Sequence, residues 1–325
     1  MSNYLITGAA GFIGARTSEI LLAGGHTVTG IDNLNEAYDP RMKEYRLRKL
    51  EATPGFTFVR GDIGERSIIQ HSTLNLRPFD GVINLAARAG VRYSVEDPWI
   101  FLESNVSGTL NMLEICRRSP NCKFILASTS SIYGANPPYP TPESASSSEV
   151  LQPYAASKKG AEVLAHAYHH LYGIDTTVLR FFTVYGPAGR PDLALFRFVQ
   201  WILEGRPVRI NGDGQQSRGF TYIDDIARGI IAALKPLGYE IINLGGHEVI
   251  TINGLVTLIE DITAKKAIVE HGPPNPADML TNWADVSKAR ELLGWSPEYD
   301  MRRGTEKLVE WYLAEREWAK DVLTP

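Results

Sequence analysis

The sequence has few cysteines, no long hydrophobic run and no excess of positive charge. Its two cysteines, Cys116 and Cys122, are too few for a disulfide framework and are typical of a reducing compartment. No segment approaches about 18 uninterrupted apolar residues, and no basic segment precedes an apolar one at the N-terminus. We therefore expect a cytoplasmic protein without a membrane span. With 33 Lys plus Arg against 37 Asp plus Glu, we do not expect a general nucleic-acid binder.

Short apolar runs alternate with helical patterns along the first 182 residues. The apolar runs are 3–7, 26–31, 56–59, 81–85, 124–127 and 176–179, and helical patterns cover 11–22, 99–117 and 154–171. This alternation predicts an α/β protein with a Rossmann-type, doubly wound parallel sheet. Beyond residue 182, proline and glycine interrupt shorter elements, which indicates a smaller, interleaved C-terminal lobe. We predict a large domain over 1–182, to which 219–246 return, and a lobe formed by 183–218 and 247–325.

Glycines at positions 8, 11 and 14 lie between the first strand and the first helix. Bare backbone there lets a pyrophosphate approach the helix N-terminus, although a plain tight turn would also use these glycines. The spacing G-x-x-G-x-x-G differs by one residue from the dinucleotide fingerprint. Asp32 ends the next strand, where a carboxylate accepts both ribose hydroxyls, and no arginine follows at 33–35, so NAD is favoured over NADP. Asp62 is a candidate for the adenine, or an ordinary helix cap.

Tyr154 and Lys158 are four residues apart in a helical pattern, so both side chains project from one face. An ammonium close to a phenol stabilises the phenolate, which makes tyrosine a usable base. The spacing also occurs by chance in many helices. The strand at 124–127 runs into four hydroxyl residues, 128–131, at the edge where open parallel sheets bind ligands. One of these hydroxyls is predicted to hydrogen-bond the alcohol being oxidised.

Together these motifs resemble the extended short-chain dehydrogenases/reductases, specifically the NAD-dependent nucleotide-sugar epimerase/dehydratase family, from Tyr4 through at least Trp295. The motifs are Thr7–Gly14, Asn84–Ala87, Ser128–Gly134, Tyr154–Lys158, Arg180–Pro187, Gly212–Gly214 and Tyr222–Asp225. The resemblance implies a larger dinucleotide-binding domain and a UDP-sugar bound between the two lobes. One departure stands out: the family usually has Arg-Asp-Phe or Arg-Asp-Tyr where this chain has Arg218-Gly219-Phe220.

The resemblance also implies roles for individual residues. Thr129 and Tyr154 are expected at the sugar hydroxyl, with Lys158 shared between the phenolate and the nicotinamide ribose. Arg218 and Asp278 are expected at the diphosphate and uridine ends of the substrate. The residues predicted to bind NAD are Gly8, Gly11, Phe12, Ile13, Gly14, Asp32, Asn33, Asp62, Ile63, Leu85, Ala86, Ala87, Tyr154 and Lys158.

The strand-end segment indicates which reaction follows. Dehydratases and decarboxylases of the family carry an acidic residue just after the strand-end hydroxyl, where this chain has Ser130 and Ser131. Without that acid, oxidation and reduction at one carbon are favoured over elimination. We therefore expect epimerisation at C4: Tyr154 takes the hydroxyl proton, NAD takes the hydride, the ketone turns, and the hydride returns to its other face.

Two segments narrow the substrate. Residues 181–192 and 89–94 are similar to the subgroup that acts on UDP-glucuronic acid, which predicts conversion of UDP-glucuronate to UDP-galacturonate. Arg190 is predicted to hold the carboxylate with Thr183, Ser130 and Ser131, unless it forms only a surface salt bridge. Arg92 is left open between carboxylate, diphosphate and loop stabilisation. The alternatives are a UDP-glucose 4-epimerase, a UDP-glucuronate decarboxylase and, from another class, a non-catalytic NAD-binding sensor.

Other patterns predict little chemistry. His166, His169 and His170 lie on one helical face without accompanying ligands, so we expect no metal. The basic run at 41–49 is predicted to be a solvated helix and not an RNA site. The helix at 99–113 is expected to be mostly core. With the helix that carries Tyr154 it is also a candidate interface, since the resemblance implies a homodimer.

Overall fold

The computed structural model describes residues 1–75, 78–273 and 281–324. Its strands are β1 (Asn3–Thr7), β2 (Thr27–Asp32), β3 (Phe56–Arg60), β4 (Gly81–Asn84), β5 (Lys123–Thr129), β6 (Thr176–Phe181), β7 (Thr183–Tyr185), β8 (Pro207–Asn211), β9 (Ser217–Tyr222), β10 (Tyr239–Leu244), β11 (Glu248–Thr251) and β12 (Ile268–Gly272). Its α-helices are α1 (Phe12–Ala23), α2 (Arg41–Glu51), α3 (Tyr93–Glu96), α4 (Trp99–Phe101), α5 (Gly108–Arg117), α6 (Pro153–Tyr172), α7 (Ala194–Leu203), α8 (Ile223–Ala232), α9 (Ile252–Thr263), α10 (Ser287–Leu293), α11 (Met301–Ala314) and α12 (Arg316–Ala319).

A parallel sheet of seven strands, in the order β10-β6-β5-β4-β1-β2-β3, forms the centre of the molecule. Strands β4, β5 and β6 are buried along their whole length, as apolar runs with helices on both faces require. The chain order reverses between β1 and β4, which is where open parallel sheets bind ligands. The predicted Rossmann-type α/β fold is confirmed.

The remaining strands form two small sheets, one with the order β11-β9-β7 and one pairing β12 with β8. Helices α7, α9 and α11 pack on one another beside them. In contrast, β10 pairs in parallel with β6 at the edge of the large sheet, and α8 packs against α1. The chain therefore enters the second lobe and returns to the first. The exact bounds of the two lobes stay a prediction.

The predicted helix over 99–117 is interrupted by a wider, π-helical segment at Leu102–Ser107. Within it, the Asn105 side chain accepts a hydrogen bond from Arg88 N at 2.9 Å and donates to Arg88 O at 3.0 Å and Ser157 Oγ at 2.8 Å. Asn105 thereby joins the loop after β4 to the first turns of α6. Such an insertion in a helix often marks a functional site. In the described part of the chain, no helix is both long and apolar enough to span a bilayer.

The prediction that the basic run at 41–49 is a solvated helix is wrong for two of its cations. Lys43 and Arg46 on α2 are buried, with 5% and 3% of their surfaces exposed, whereas Arg48 and Lys49 are exposed. Residues three apart share a helix face, and this face contacts the rest of the protein. Charge periodicity alone cannot distinguish a solvated face from a polar interface.

Candidate active site

A cleft of about 500 Å³ lies at the carboxyl ends of the central strands, within the range of ligand pockets. Most of the predicted site residues line it. They are Gly8, Gly11, Phe12, Ile13, Gly14, Asp32, Asn33, Asp62, Ile63, Leu85, Ala86, Ala87, Thr129, Ser130, Ser131, Tyr154, Lys158, Thr183, Arg190 and Arg218. The structure thus brings residues from both lobes to one space.

The turn between β1 and α1 has the shape that a pyrophosphate needs. Gly8 has a φ of +67°, which favours glycine, and a Cβ on it would lie 2.9 Å from Ala86 N. A Cβ on Gly14 would lie 2.1 Å from Gly8 O, so the first turn of α1 closes against the end of β1 only without a side chain. The cradle therefore depends on bare backbone at the N-terminus of α1, and it fits a dinucleotide.

Asp32 is buried at the end of β2, where its carboxylate accepts hydrogen bonds from Ala10 N at 3.1 Å and Leu34 N at 2.8 Å. These bonds fix the carboxylate beside the glycine turn, as a ribose receptor requires. Asp62 accepts from Asn33 Nδ2 at 2.7 Å and Gly64 N at 2.8 Å. Asp62 therefore orders its own turn as well as lining the cleft.

The cofactor side of the cleft is the part next to the glycine turn and Asp32. Lys43 and Tyr38 also line this side, and neither was predicted from the sequence. Lys43 Nζ donates to Asn35 O at 2.7 Å and to Asn35 Oδ1 at 2.9 Å, and it lies 5.2 Å from the centre of the Tyr38 ring. Burial lowers the pKa of Lys43, and the nearby Asp32 carboxylate opposes that shift. The available signal was the spacing of Lys43 and Arg46, three residues apart on one helix face.

Lys158 is buried in the second turn of α6, which has proline at its first position. Its Nζ donates a hydrogen bond of 2.8 Å to Ala127 O in β5. Burial lowers the pKa of Lys158 to about 8, and the charge of Glu162, one turn further along α6, opposes the shift. At neutral pH the side chain is therefore mostly protonated, but near its titration.

Tyr154 lies at the start of α6 with its ring 6.0 Å from that of Phe101. Burial raises the pKa of its phenol, while a hydrogen bond with Thr129 and the charge of Arg190 lower it. Lys158 Nζ donates to Ala127 O in the described structure, and its effect on the phenolate stays a prediction. Arg190, on the other lobe, contributes a positive charge near the phenol.

A buried ion pair supports this end of α6. Glu162 accepts from Arg180 Nε at 3.0 Å, Arg180 Nη2 at 2.9 Å and Ser128 Oγ at 2.6 Å, and Arg180 Nη1 donates to Tyr133 Oη at 3.0 Å. Both charged side chains are 2% exposed. Burial raises the pKa of Glu162, but the Arg180 guanidinium more than offsets this and holds it below its usual value. The pair fixes α6 to β5 and β6.

The strand-end hydroxyls form a short chain of hydrogen bonds. Thr129 Oγ1 accepts from Ser131 N at 3.2 Å and donates to Ser131 Oγ at 3.3 Å. Ser130 Oγ accepts a hydrogen bond of 3.0 Å from Asn282 Nδ2. Asn282 lines the cleft and is a third residue that sequence reasoning missed. No motif pointed to it, because its partner is remote in the sequence.

Arg190 forms a salt bridge, but within the cleft and not on the outer surface. Its Nε lies 3.0 Å from Asp192 Oδ1 and its Nη2 lies 2.5 Å from Asp192 Oδ2, and about a quarter of each side chain is exposed. The guanidinium carbon is 5.9 Å from the centre of the Tyr38 ring. Arg190 thus lies between Asp192 and Tyr38, both of which line the cleft.

Of the other three predicted substrate-binding residues, Arg218, Arg92 and Asp278, the described structure places one in the lining of the cleft. Arg218 lines the cleft and donates to Ser217 O at 2.7 Å. Arg92 is exposed at the start of α3 and is not among the described residues that line the cleft, and its role stays a prediction. Asp278 lies outside the described residues.

Gly219, the departure from the family pattern, has a structural reason. A Cβ on Gly219 would lie 2.2 Å from Gly246 O, so no side chain fits without moving that backbone. Gly219 N donates to Asn282 O at 2.7 Å. The glycine therefore brings β9 close to two segments, one of which carries Asn282 into the cleft.

Comparisons with known proteins agree with this geometry. Residues 4–245 match the model of the NAD dependent epimerase/dehydratase family. A UDP-glucuronate 4-epimerase of Thermodesulfobacterium geofontis is 50% identical over 324 residues, 99% of each chain. The crystal structure of a UDP-glucuronic acid 4-epimerase from Bacillus cereus, in complex with UDP-glucuronic acid and NAD, has a TM-score of 0.89 at 37% identity, covering 96% of this chain and 99% of that one. A UDP-glucose 4-epimerase of Thermotoga maritima, with UDP-glucose, has a TM-score of 0.89 at 31% identity, covering 97% and 99%.

These matches confirm the predicted cofactor, NAD, for which the glycine turn and Asp32 provide a fitting cradle. They extend over nearly the whole chain, so the second lobe is shared as well as the sheet. With its fold, its turn and its Tyr154–Lys158 pair all in agreement, the chain belongs to the NAD dependent epimerase/dehydratase family.

Proposed function

We propose that the protein is an NAD-dependent epimerase that inverts C4 of UDP-glucuronate to give UDP-galacturonate. The carrying observation is that Arg190 and Tyr154 line one cleft together with Thr183, Ser130 and Ser131. In a uronic acid the carboxylate is attached to C5, next to the C4 hydroxyl. A cation beside the base therefore stands where the substrate carboxylate falls when C4 reacts. The relatives that bear this activity in their names support the same substrate.

Each side chain of the cleft has a separate role in the proposed reaction. Thr129 hydrogen-bonds the phenol and orients the C4 hydroxyl, and Tyr154 takes the hydroxyl proton and later returns it. Lys158, held by Ala127 O, supplies positive charge on the cofactor side of α6. Arg190, Thr183, Ser130 and Ser131 hold the carboxylate. When bound, NAD supplies the hydride acceptor and donor.

The positions of the carboxylates in the cleft favour epimerisation at C4 over elimination of water. The acidic residues among its described lining are Asp32, Asp62 and Asp192. The first two lie on the cofactor side, and Asp192 is paired with Arg190. The strand-end hydroxyl of Thr129 hydrogen-bonds Tyr154, and among the described residues this part of the cleft provides no carboxylate to protonate a leaving hydroxyl.

The test is product analysis with purified enzyme, UDP-glucuronate and no added reductant, followed by NMR. The proposal expects UDP-galacturonate at a constant total of nucleotide sugar. A UDP-pentose as main product would make the protein a decarboxylase, and conversion of UDP-glucose in preference would make it a neutral-sugar epimerase. Bound NAD without conversion of either sugar would identify a non-catalytic sensor.

We also propose that the protein is a cytoplasmic homodimer. Large apolar side chains are exposed on α3, α4 and α6: Val95 at 68%, Trp99 at 72% and Val163 at 59%. Helices α3 and α4 both pack against α6, and exposed apolar side chains on neighbouring helices are typical of an interface between copies. Both cysteines are buried free thiols, as a reducing compartment favours. Light scattering on the wild type and on Trp99→Glu tests the interface, with a dimer expected for the first and a monomer for the second.

A further inference from the structure

Arg46 of α2 joins the two lobes through its guanidinium. Its Nε donates to Ala188 O at 2.9 Å, and its Nη2 donates to Ala188 O at 2.6 Å and Gly189 O at 3.0 Å. Its Nη1 donates to Ala10 O at 3.2 Å and to Tyr38 Oη at 2.9 Å. One buried side chain thus holds the glycine turn of the cofactor side and the loop that leads to Arg190.

The partners of Arg46 are carbonyls and rings. Among the described residues, no carboxylate forms a hydrogen bond or ion pair with it; the guanidinium carbon lies 5.9 Å from the centre of the Phe12 ring and 5.6 Å from that of Tyr38. A buried cation is costly unless its donors are satisfied, and here backbone oxygens satisfy them. The planar fork therefore serves to fix the positions of those oxygens, which an ammonium cannot do in the same way.

The loop that Arg46 holds needs such support. Ala188 has a φ of +52°, in the left-handed region where a residue with a side chain is strained. A Cβ on Gly189 would lie 3.0 Å from Gly186 O, so the loop is tightly closed. The next residue is Arg190, whose guanidinium reaches the same Tyr38 ring. A shift of the loop would move Arg190 relative to Tyr154.

We propose that Arg46 is a positioning residue for substrate recognition, which fixes Arg190 for the uronate carboxylate by clamping the Ala188 and Gly189 carbonyls to the glycine turn. The inference rests on the proposed function, since it needs Arg190 as the carboxylate receptor. It predicts that loss of the fork impairs discrimination between a uronic acid and a neutral sugar, and not only stability.

The test measures, by calorimetry, the affinities of the NAD-loaded protein for UDP-glucuronate and for UDP-glucose. The quantity compared between variants is the affinity for UDP-glucuronate divided by the affinity for UDP-glucose. The variants are Arg46→Met and Arg46→Lys, each alone and combined with Arg190→Ala. Arg48→Met is the matched control, because Arg48 is an exposed arginine on the same helix. We expect Arg46→Met to lower the ratio about tenfold, Arg46→Lys to lower it less, and Arg48→Met to leave it unchanged. In the Arg190→Ala background, neither Arg46 substitution should change the ratio further.

The outcomes separate the two proposals. If Arg190→Ala lowers the ratio but both Arg46 variants keep the wild-type ratio, the inference is overturned and the proposed function stands. If the Arg46 variants lower the ratio equally with and without Arg190, Arg46 does not act through Arg190 and the inference also fails. If Arg190→Ala itself leaves the ratio unchanged, the carboxylate assignment fails and the inference with it. Should Arg46→Met not fold, Arg46→Lys decides, since it keeps the charge.

Discussion

The two sides of the cleft are built in different ways. On the cofactor side, the glycine turn, Asp32 and Lys158 lie directly at the ends of parallel strands or in the helices that follow them. On the substrate side, Arg190 and Asn282 stand on loops whose positions depend on side-chain hydrogen bonds from distant residues. The residues of the cofactor side are positioned by the register of the sheet, and those of the substrate side by individual hydrogen bonds.

This difference predicts how the two sides respond to substitution. A change on the cofactor side has to disturb backbone that the sheet holds in place, so it should weaken NAD binding or slow the chemistry itself. A change on the substrate side should keep NAD bound and alter how well the sugar is held, which sugar is preferred or which product leaves. Substitutions from each side test the comparison.

Tyr154→Phe should have the largest effect. It removes the hydroxyl that we propose transfers the proton, and general acid–base catalysis of this kind is worth roughly 10²- to 10⁴-fold in rate. We expect kcat to fall by that amount while NAD and UDP-glucuronate still bind, as measured by steady-state kinetics and calorimetry. Tyr172→Phe, on the exposed end of the same helix, is the control and should keep wild-type kcat. Wild-type turnover in Tyr154→Phe would remove tyrosine from the mechanism.

Gly14→Ala should break the cofactor side. Its Cβ would lie 2.1 Å from Gly8 O, so the turn has to open, and overpacking of this kind costs about 1–3 kcal/mol. We expect NAD affinity to fall at least about tenfold, measured by the NAD content of purified protein and by titration. Gly160→Ala on α6 is the control, because its Cβ would meet Val106 Cγ2 at an ordinary 3.5 Å. Equal NAD content in both variants would contradict the role of the turn.

Arg190→Ala and Thr183→Ala should change the products on the substrate side. Oxidation at C4 makes a β-keto acid, which loses carbon dioxide when the breaking bond aligns with the carbonyl π system. A carboxylate that is no longer held can reach that alignment. We expect epimerisation to fall by roughly tenfold or more, as loss of a charge-assisted contact implies, with part of the remaining flux leaving as a UDP-pentose. NMR of the products checks this, and wild-type rates without pentose in both variants would refute the carboxylate assignment.

The pH dependence tests the environment of Lys158. Its pKa is lowered to about 8 by burial, so the side chain is charged below that pH and neutral above it. If the charge is needed, kcat/KM should fall as pH rises through about 8 and approach a tenfold loss per pH unit beyond it. Glu162 raises this pKa, so Glu162→Gln should move the falling limb to lower pH. A limb that stays in place would show that another group titrates.

Asn282→Ala should have the smallest effect of this series. It removes the amide that donates to Ser130 Oγ at 3.0 Å, and a hydrogen bond between neutral groups contributes about 0.5–1.5 kcal/mol. We expect the affinity for UDP-glucuronate to weaken by a few-fold, with NAD content unchanged. Loss of NAD in this variant would mean that the two sides of the cleft are not separable in the way described.

The same difference explains which site residues could be predicted from the sequence and which could not. The glycine spacing, Asp32 and the Tyr154–Lys158 pair are local patterns, and strand register carries them to the correct edge of the sheet. Arg46 contacts Ala188 across 142 residues, and Asn282 contacts Ser130 across 152. No periodicity links such pairs, so the sequence predicted a solvated helix where a buried contact exists. The contact of Lys158 with Ala127 was likewise not predicted, because the acceptor is a backbone carbonyl and leaves no mark in the sequence.

In the proposed reaction, C4 of the sugar loses a hydride and regains it on the opposite face, without exchange with solvent. UDP-glucuronate carrying deuterium at C4 tests this most directly. We expect UDP-galacturonate that retains the deuterium at C4, formed by protein with its resident NAD and no added reductant. Loss of the deuterium to water during conversion would contradict it.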